Sequence, residues 1–142
     1  MCGNTFGVKK GQVMGLLGPN GAGKSTIFSM LSMLEPRSSG EIRLVNTKIQ
    51  DVKLGQSGYE CGMCPQYDVF WAQLTVEENL TFVVRLRGLS VEDREQNMNT
   101  IINTMDLDPF RKTHAGNLSG GNKRKLSCAL ALLLSPKVEF LD

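Results

Sequence analysis

Gly18-Pro19-Asn20-Gly21-Ala22-Gly23-Lys24-Ser25-Thr26 is the stretch that decides how the rest of the chain is read. It matches the phosphate-binding loop pattern G-x-x-x-x-G-K-[ST] at every position. A phosphate chain needs backbone N–H groups converging on it, and side chains would obstruct that approach. Gly18, Gly21 and Gly23 let the loop wrap tightly and take positive φ where required. Lys24 supplies a cation for β- and γ-phosphates, and the Ser25 hydroxyl suits Mg²⁺, with Thr26 beside it. Upstream, Gln12-Val13-Met14-Gly15-Leu16-Leu17 reads as a buried strand. Downstream, Ile27 to Leu34 reads as a helix whose positive dipole end faces the same anion. Strand, loop and helix are the context the motif requires. The bland alternative is a glycine-rich turn that happens to fit. The motif alone implies a nucleoside triphosphate site and says nothing about the fate of the nucleotide once bound.

The 142 residues suit one domain and can bury a core. A net charge of +2 gives no argument for a nucleic-acid partner. No apolar run nears the ~20 residues that span a bilayer, and no signal-peptide pattern opens the chain, so a cytosolic setting is expected. Four cysteines do not make a disulfide framework at this length. Cys61-Gly62-Met63-Cys64 has C-x-x-C spacing without the second pair that zinc would want, so structural thiols on a strand are expected. Met14, Met30, Met33, Met63 and Met105 read as core filler, as does Phe6.

Working outward, Pro36 to Gly40 is a turn and Glu41 to Val45 alternates as a strand. Asn46 to Gly58 reads as irregular, and Tyr59 to Cys64 as a strand stopped by Pro65. Thr75-Val76-Glu77-Glu78 is a capping box for a helix to about Arg87, ended by Gly88. Ser90 caps a second helix to about Met105, and residues 106–117 form a loop. A third helix is expected from about Asn122 to Leu134, with Leu126, Ala129, Leu130 and Leu133 in its core, stopped by Pro136. Val138 to Asp142 is a last strand. The order is α/β, with a helical block between early strands and a late one. A late parallel strand normally has cover on both faces, so the C-terminus reads as a truncation.

Further motifs carry a family resemblance. Leu118-Ser119-Gly120-Gly121-Asn122 resembles the LSGGQ signature of ATP-binding cassette (ABC) ATPases and lies about ninety residues after the phosphate loop. Gln66 stands where that family has its Q-loop glutamine. Val138 to Asp142 resembles the Walker B strand, ending on its aspartate. The segments Cys64 to Trp71 and Asn122 to Ser127 are similar to eukaryotic subfamily A, the lipid exporters. The resemblance covers essentially the whole chain. It implies a P-loop NTPase fold with a RecA-like parallel sheet core from about 1–66 and 128–142. An ABC-type helical subdomain would be inserted at about 67–127, the whole being incomplete at both ends.

The resemblance also implies roles. Lys24 and the loop residues Gly18, Pro19, Asn20, Gly21, Ala22, Gly23, Ser25 and Thr26 would hold ATP, all but Pro19 having a backbone N–H to offer. Ser25, Gln66 and Asp142 would hold Mg²⁺, with Gln66 and Asp142 as the catalytic pair. Two cassettes would dimerise head to tail, Ser119, Gly120 and Gly121 of one meeting the γ-phosphate held by the other. Tyr67, Phe70 and Trp71 would either dock on a transmembrane domain or simply pack. The implied parent is a transporter at the cytoplasmic face of a membrane that hydrolyses ATP to drive export, with lipids as the cargo that subfamily A implies.

The departures are specific. The family's catalytic glutamate follows the Walker B aspartate, and the 142 residues end at Asp142, so little turnover is expected from them alone. His114 precedes the signature and is a surface loop residue, not the family's switch histidine. Asn122 replaces the usual glutamine. Glu139 occupies a normally apolar strand position, where a buried carboxylate is costly. Lys123-Arg124-Lys125 reads as a solvated helix face. Two competing readings remain: a binding and dimerisation module without hydrolysis, and a soluble ABC ATPase without a membrane partner.

Overall fold

A computed structural model describes residues 4–44, 47–48, 61–86, 90–133 and 135–142. They fall in two compact units, Met1–Gln56 and Ser57–Asp142. Most of the irregular stretch expected at Asn46 to Gly58 lies outside the described residues. So do Tyr59, Glu60, the Gly88 helix stop and Leu134.

In the first unit, helix α1 (Lys24–Leu31) leaves the glycine-rich loop. It stops short of Leu34 because Met33 turns left-handed, at φ 61. The Leu34 and Glu35 amides then both donate to Ser29 O, at 2.8 and 3.1 Å, closing the helix end before Pro36. Strands β1 (Arg43–Leu44) and β2 (Thr47–Lys48) pair antiparallel, so Thr47 and Lys48 are not irregular. The strand expected at 12–17 does not form. Val13 is 100% exposed and Leu17 97%. A strand with two apolar faces is buried only between neighbouring strands and covering helices, and no ladder reaches 12–17 among the described residues. Phe6 and Met14 are likewise exposed rather than core.

In the second unit, β3 (Cys61–Cys64) and β4 (Val138–Leu141) pair in parallel, Cys61 opposite Val138 and Cys64 opposite Leu141. Three helices lie between them in sequence: α2 (Val76–Leu86), α3 (Val91–Thr104) and α4 (Gly120–Leu132). Val76, Leu80 and Val84 repeat every four residues down one face of α2. They bury against Met98, Ile101 and Ile102 of α3 and Leu126 and Ala129 of α4. Each fully buried aliphatic side chain contributes about 1.5–3 kcal/mol. Leu133 joins this core, while Leu130 packs on its rim.

The helix starts follow their capping chemistry. Thr75 N donates to Glu78 Oε2 at 2.7 Å, and Glu78 N donates to Thr75 Oγ1 at 3.2 Å. Ser90 Oγ accepts from Asp93 N at 3.1 Å. The expected loop at 106–117 contains two 3₁₀ turns, Asp108–Phe110 and Ala115–Asn117. Carbonyls beside them complete the start of α2: Val76 N donates to Thr113 O and Glu77 N to Arg111 O, each at 3.1 Å. Among the described residues no helix is long and apolar enough to cross a membrane.

Candidate functional site

The loop at 18–26 has the backbone that phosphate binding asks for. Gly21 and Gly23 sit at φ 80 and φ 89, where a side chain would be strained. Gly23 is the N-cap of α1 and brings no side-chain cap, so the first helical amides keep no side-chain acceptor there. An anion can take that place and also gains from the helix dipole. The Lys24 ammonium folds back over the loop and donates to Gly18 O and Pro19 O, both at 2.9 Å. Its charge is thus held over the loop by neutral oxygens. Ser25 and Thr26 are exposed on the first turn.

The second unit brings Gln66 and Asp142 to the same end of the parallel pair. Asp142 N donates to Cys64 O at 2.9 Å, extending the β3–β4 ladder to the edge where Pro65 and Gln66 emerge. Both Gln66 and Asp142 are exposed. Arg124 corrects the expectation of a solvated basic face, because its guanidinium bonds both Pro65 O and Asp142 O. One side chain of α4 therefore ties together the backbone of both strand ends. The basic run gives no sign of which of its members does this. Lys125 pairs with Asp106 at 3.2 Å on the surface.

Ser119 is the N-cap of α4, its hydroxyl accepting from Asn122 N at 3.4 Å, so the helix starts two residues before the expected Asn122. Leu118 is buried and anchors the turn. Gly120 and Gly121 are exposed, and a Cβ built on either meets no atom within 4 Å. Each glycine weakens a helix by up to about 1 kcal/mol relative to alanine. Nothing around these two within the described chain requires one.

Strand β3 alternates, with Gly62 and Cys64 buried and Cys61 and Met63 half-buried. Cys61 and Cys64 therefore point to opposite faces, which removes the C-x-x-C pair as a redox or metal unit. No cluster of three metal-ligating His, Cys, Asp or Glu side chains occurs among the described residues. On the buried face, Cys64 Sγ lies 3.6 Å from Cys128 Sγ of α4. Burial, and next the Cys128 thiol, push the Cys64 thiol up to about 11. A Cβ on Gly62 would stand 2.4 Å from Ala131 O. Glycine inside an apolar strand was the available sign of such close approach. Opposite Gly62, Glu139 is half-buried. Its Oε1 has no hydrogen-bond partner among the described residues, and burial raises its pKa.

Between β3 and α2, Phe70 packs on the core while Tyr67 and Trp71 are exposed. Trp71 meets Phe82 of α2 edge-on, with ring centroids 4.5 Å apart. Asn79, buried on α2 and not singled out by sequence, organises this segment. Its Oδ1 accepts from Trp71 N at 2.8 Å, and its Nδ2 donates to Trp71 O at 3.0 Å and Thr75 O at 2.9 Å. His114 is exposed, as expected, with Nδ1 2.7 Å from Gln73 O.

A family model described as ABC transporter matches residues 3–142. The "Phospholipid-transporting ATPase ABCA3" of Rattus norvegicus is 40% identical over 138 residues, which are 97% of this chain and 8% of the rat protein. The "ATP-binding cassette sub-family A member 2" of Homo sapiens is 41% identical over 137 residues, 96% of this chain and 6% of that protein. The human "Cholesterol transporter ABCA5" is 34% identical over 139 residues, 97% of this chain and 8% of that protein. The chain thus spans less than a tenth of these relatives' length. Among solved structures, "Structure of ATP binding subunit of ABC transporter" superposes with a TM-score of 0.72 at 26% identity, over 89% of this chain and 52% of that one. A second, of cbiO1 from Clostridium perfringens, gives 0.77 at 24% identity over 89% of this chain and 51% of that one, a likeness of fold.

Proposed function

From the membership of this chain in the ABC transporter family, whose model covers residues 3–142, we propose that it holds Mg-ATP on residues 18–26 and works as one half of a head-to-tail pair of ATP-hydrolysing cassettes that powers transmembrane export. The observation that carries the nucleotide assignment is the left-handed Gly21 and Gly23 leading into a helix start without a side-chain cap, under the Lys24 ammonium. Bound Mg²⁺ supplies charge neutralisation for the β- and γ-phosphates. Ser25, Gln66 and Asp142 offer hydroxyl, amide and carboxylate oxygens, a hard donor set that fits Mg²⁺. In this reading Lys24 and the loop amides orient the phosphates, while Gln66 and Asp142 position the metal side of the site. No residue of the 142 is assigned as the base that would activate water.

The same reading divides the chain into a nucleotide-binding core, about 1–66 and 128–142, and a helical subdomain, about 67–127. The open space around Gly120 and Gly121 supports a partner there. A second copy's phosphate could approach the exposed helix start beside Ser119 without meeting a side chain. The exposed Tyr67, Trp71 and Phe82 suit contact with a transmembrane domain, which would place the chain at the cytoplasmic membrane face. Relatives named for phospholipid and cholesterol transport support an amphipathic lipid as cargo.

Sedimentation with and without Mg-ATP tests the paired-cassette reading. The chain should dimerise only with nucleotide, and Lys24→Ala and Ser119→Arg should each stay monomeric. A mixture of the two variants should recover a dimer, since one intact loop then faces one intact signature. A chain that binds ATP yet stays monomeric, or a mixture that recovers nothing, would contradict it.

A further inference from the structure

Helix α4 and strand β3 meet along a single line of contacts. Arg124, Cys128 and Ala131 follow one another at i, i+4 and i+7 on one face of the helix. Pro65, Cys64 and Gly62 run the opposite way along the strand. At one end the Arg124 guanidinium bonds Pro65 O. At the other, Gly62 lies so close to Ala131 O that a methyl group would not fit. Between these two anchors the Cys64 and Cys128 sulfurs are 3.6 Å apart, both as free thiols. Contacts on either side hold the sulfurs in register, and bonding them means closing the 3.6 Å gap to about 2.05 Å.

We propose that Cys64 and Cys128 are a redox modification site that closes to a reversible disulfide under hydrogen peroxide, cross-linking the helix that begins after Ser119 to the strand that ends before Gln66. Cys128 is half-buried and Cys64 fully buried, so Cys128 is the more accessible of the two and oxidation enters there. The Cys128 thiolate attacks peroxide. An S–O bond forms, the O–O bond breaks, and the departing hydroxide takes up a proton as water. The Cys64 sulfur then attacks the Cys128 sulfur. The S–S bond forms, the S–O bond breaks, and the hydroxyl leaves with the Cys64 proton as a second water. Two thiols are oxidised and one peroxide is reduced to two waters. A dithiol reductant reverses the bond. Cys61 takes no part, because it faces the other side of β3. The proposal does not depend on nucleotide binding.

The test is peptide mapping of the native chain after peroxide treatment and alkylation. Cys61 and Cys64 share a tryptic peptide, so Cys61→Ser is mapped beside the wild type. A reductant-sensitive link between the Cys64 and Cys128 peptides should form in both and disappear in Cys128→Ser. In denaturant the pairing should spread over all four cysteines, because the native packing is what selects it. Fragment spectra of the wild type assign the link even if a variant fails to fold. Cys128 found as sulfinic acid beside a fully alkylatable Cys64 would overturn the proposal. A native link running through Cys61 or Cys2 would also overturn it.

Discussion

Replacing Gly62 with alanine tests the packing that joins β3 to α4. The added methyl would stand 2.4 Å from Ala131 O, 2.8 Å from Pro136 Cγ and 3.2 Å from the Ala131 carbonyl carbon. Two of these atoms are backbone and the third belongs to a ring, so none can swing aside as a flexible side chain would. Overpacking costs about 1–3 kcal/mol, and rigid neighbours put this case at the upper end. The stiffer unfolded chain returns about 0.4–1 kcal/mol. The net loss is about 2 kcal/mol, or about 8–16 °C in the midpoint of a unit the size of residues 57–142. Trp71, the chain's one tryptophan, lies in that unit, so its fluorescence reports the melt directly. Gly120→Ala is the matched contrast, since its methyl meets nothing within 4 Å. It should leave the midpoint unchanged or raise it, by up to about 1 kcal/mol of stability. If Gly62→Ala melts with the wild type, the close approach of strand and helix is wrong.

Asn79→Ala leaves the half-buried amide and carbonyl of Trp71 without their side-chain partner, and should cost about 1–3 kcal/mol while shifting Trp71 emission. Thr75→Ala removes one half of the capping box and should cost about 1 kcal/mol by thermal melting. The Thr75 amide and hydroxyl hold Glu78 below its usual pKa of 4.5, so the stability it gives is present above that value. That stability is lost as pH falls through the lower folded value, and Glu78→Gln should flatten this part of the pH–stability curve. Glu139 has the opposite sign. Burial raises its pKa, so its neutral form suits the fold and stability falls as pH rises from 4.5 through the folded value. Glu139→Val should therefore raise the midpoint at pH 7, and by less at pH 4.

Sequence pattern carried the local features furthest. Thr75 with Glu78 and Ser90 with Asp93 form the expected caps because a cap is settled by residues three apart. The 3.6-residue repeat of Leu126, Ala129 and Leu133 identified the buried face of α4 for the same reason. Gly21 and Gly23 of the loop likewise announced their own left-handed backbone, while Gly18 does not adopt it. What failed depends on distant partners. Residues 12–17 have the apolar pattern of a strand, but a strand exists only with a neighbour to pair with. Arg124 is indistinguishable from Lys123 and Lys125 until the ends of β3 and β4 are brought beneath it. Asn79 reads as an ordinary polar helix residue until Trp71 folds back onto it. Cys61 and Cys64 are strand thiols, as expected, but nothing in their spacing shows that the helix brings Cys128 beside Cys64.

Calorimetric titration with ATP and Mg²⁺ tests the nucleotide assignment of residues 18–26 most directly, with Lys24→Ala as its control. Lys24 bonds only loop carbonyls among the described residues, so the variant should keep its circular dichroism. Losing a charged contact to phosphate is worth about 1.5–3 kcal/mol, about tenfold to a hundredfold in affinity. The wild-type chain should bind one ATP, and the variant should bind more weakly by that factor or not detectably. Equal affinity in the two, or no binding by a folded wild-type chain, would contradict the assignment.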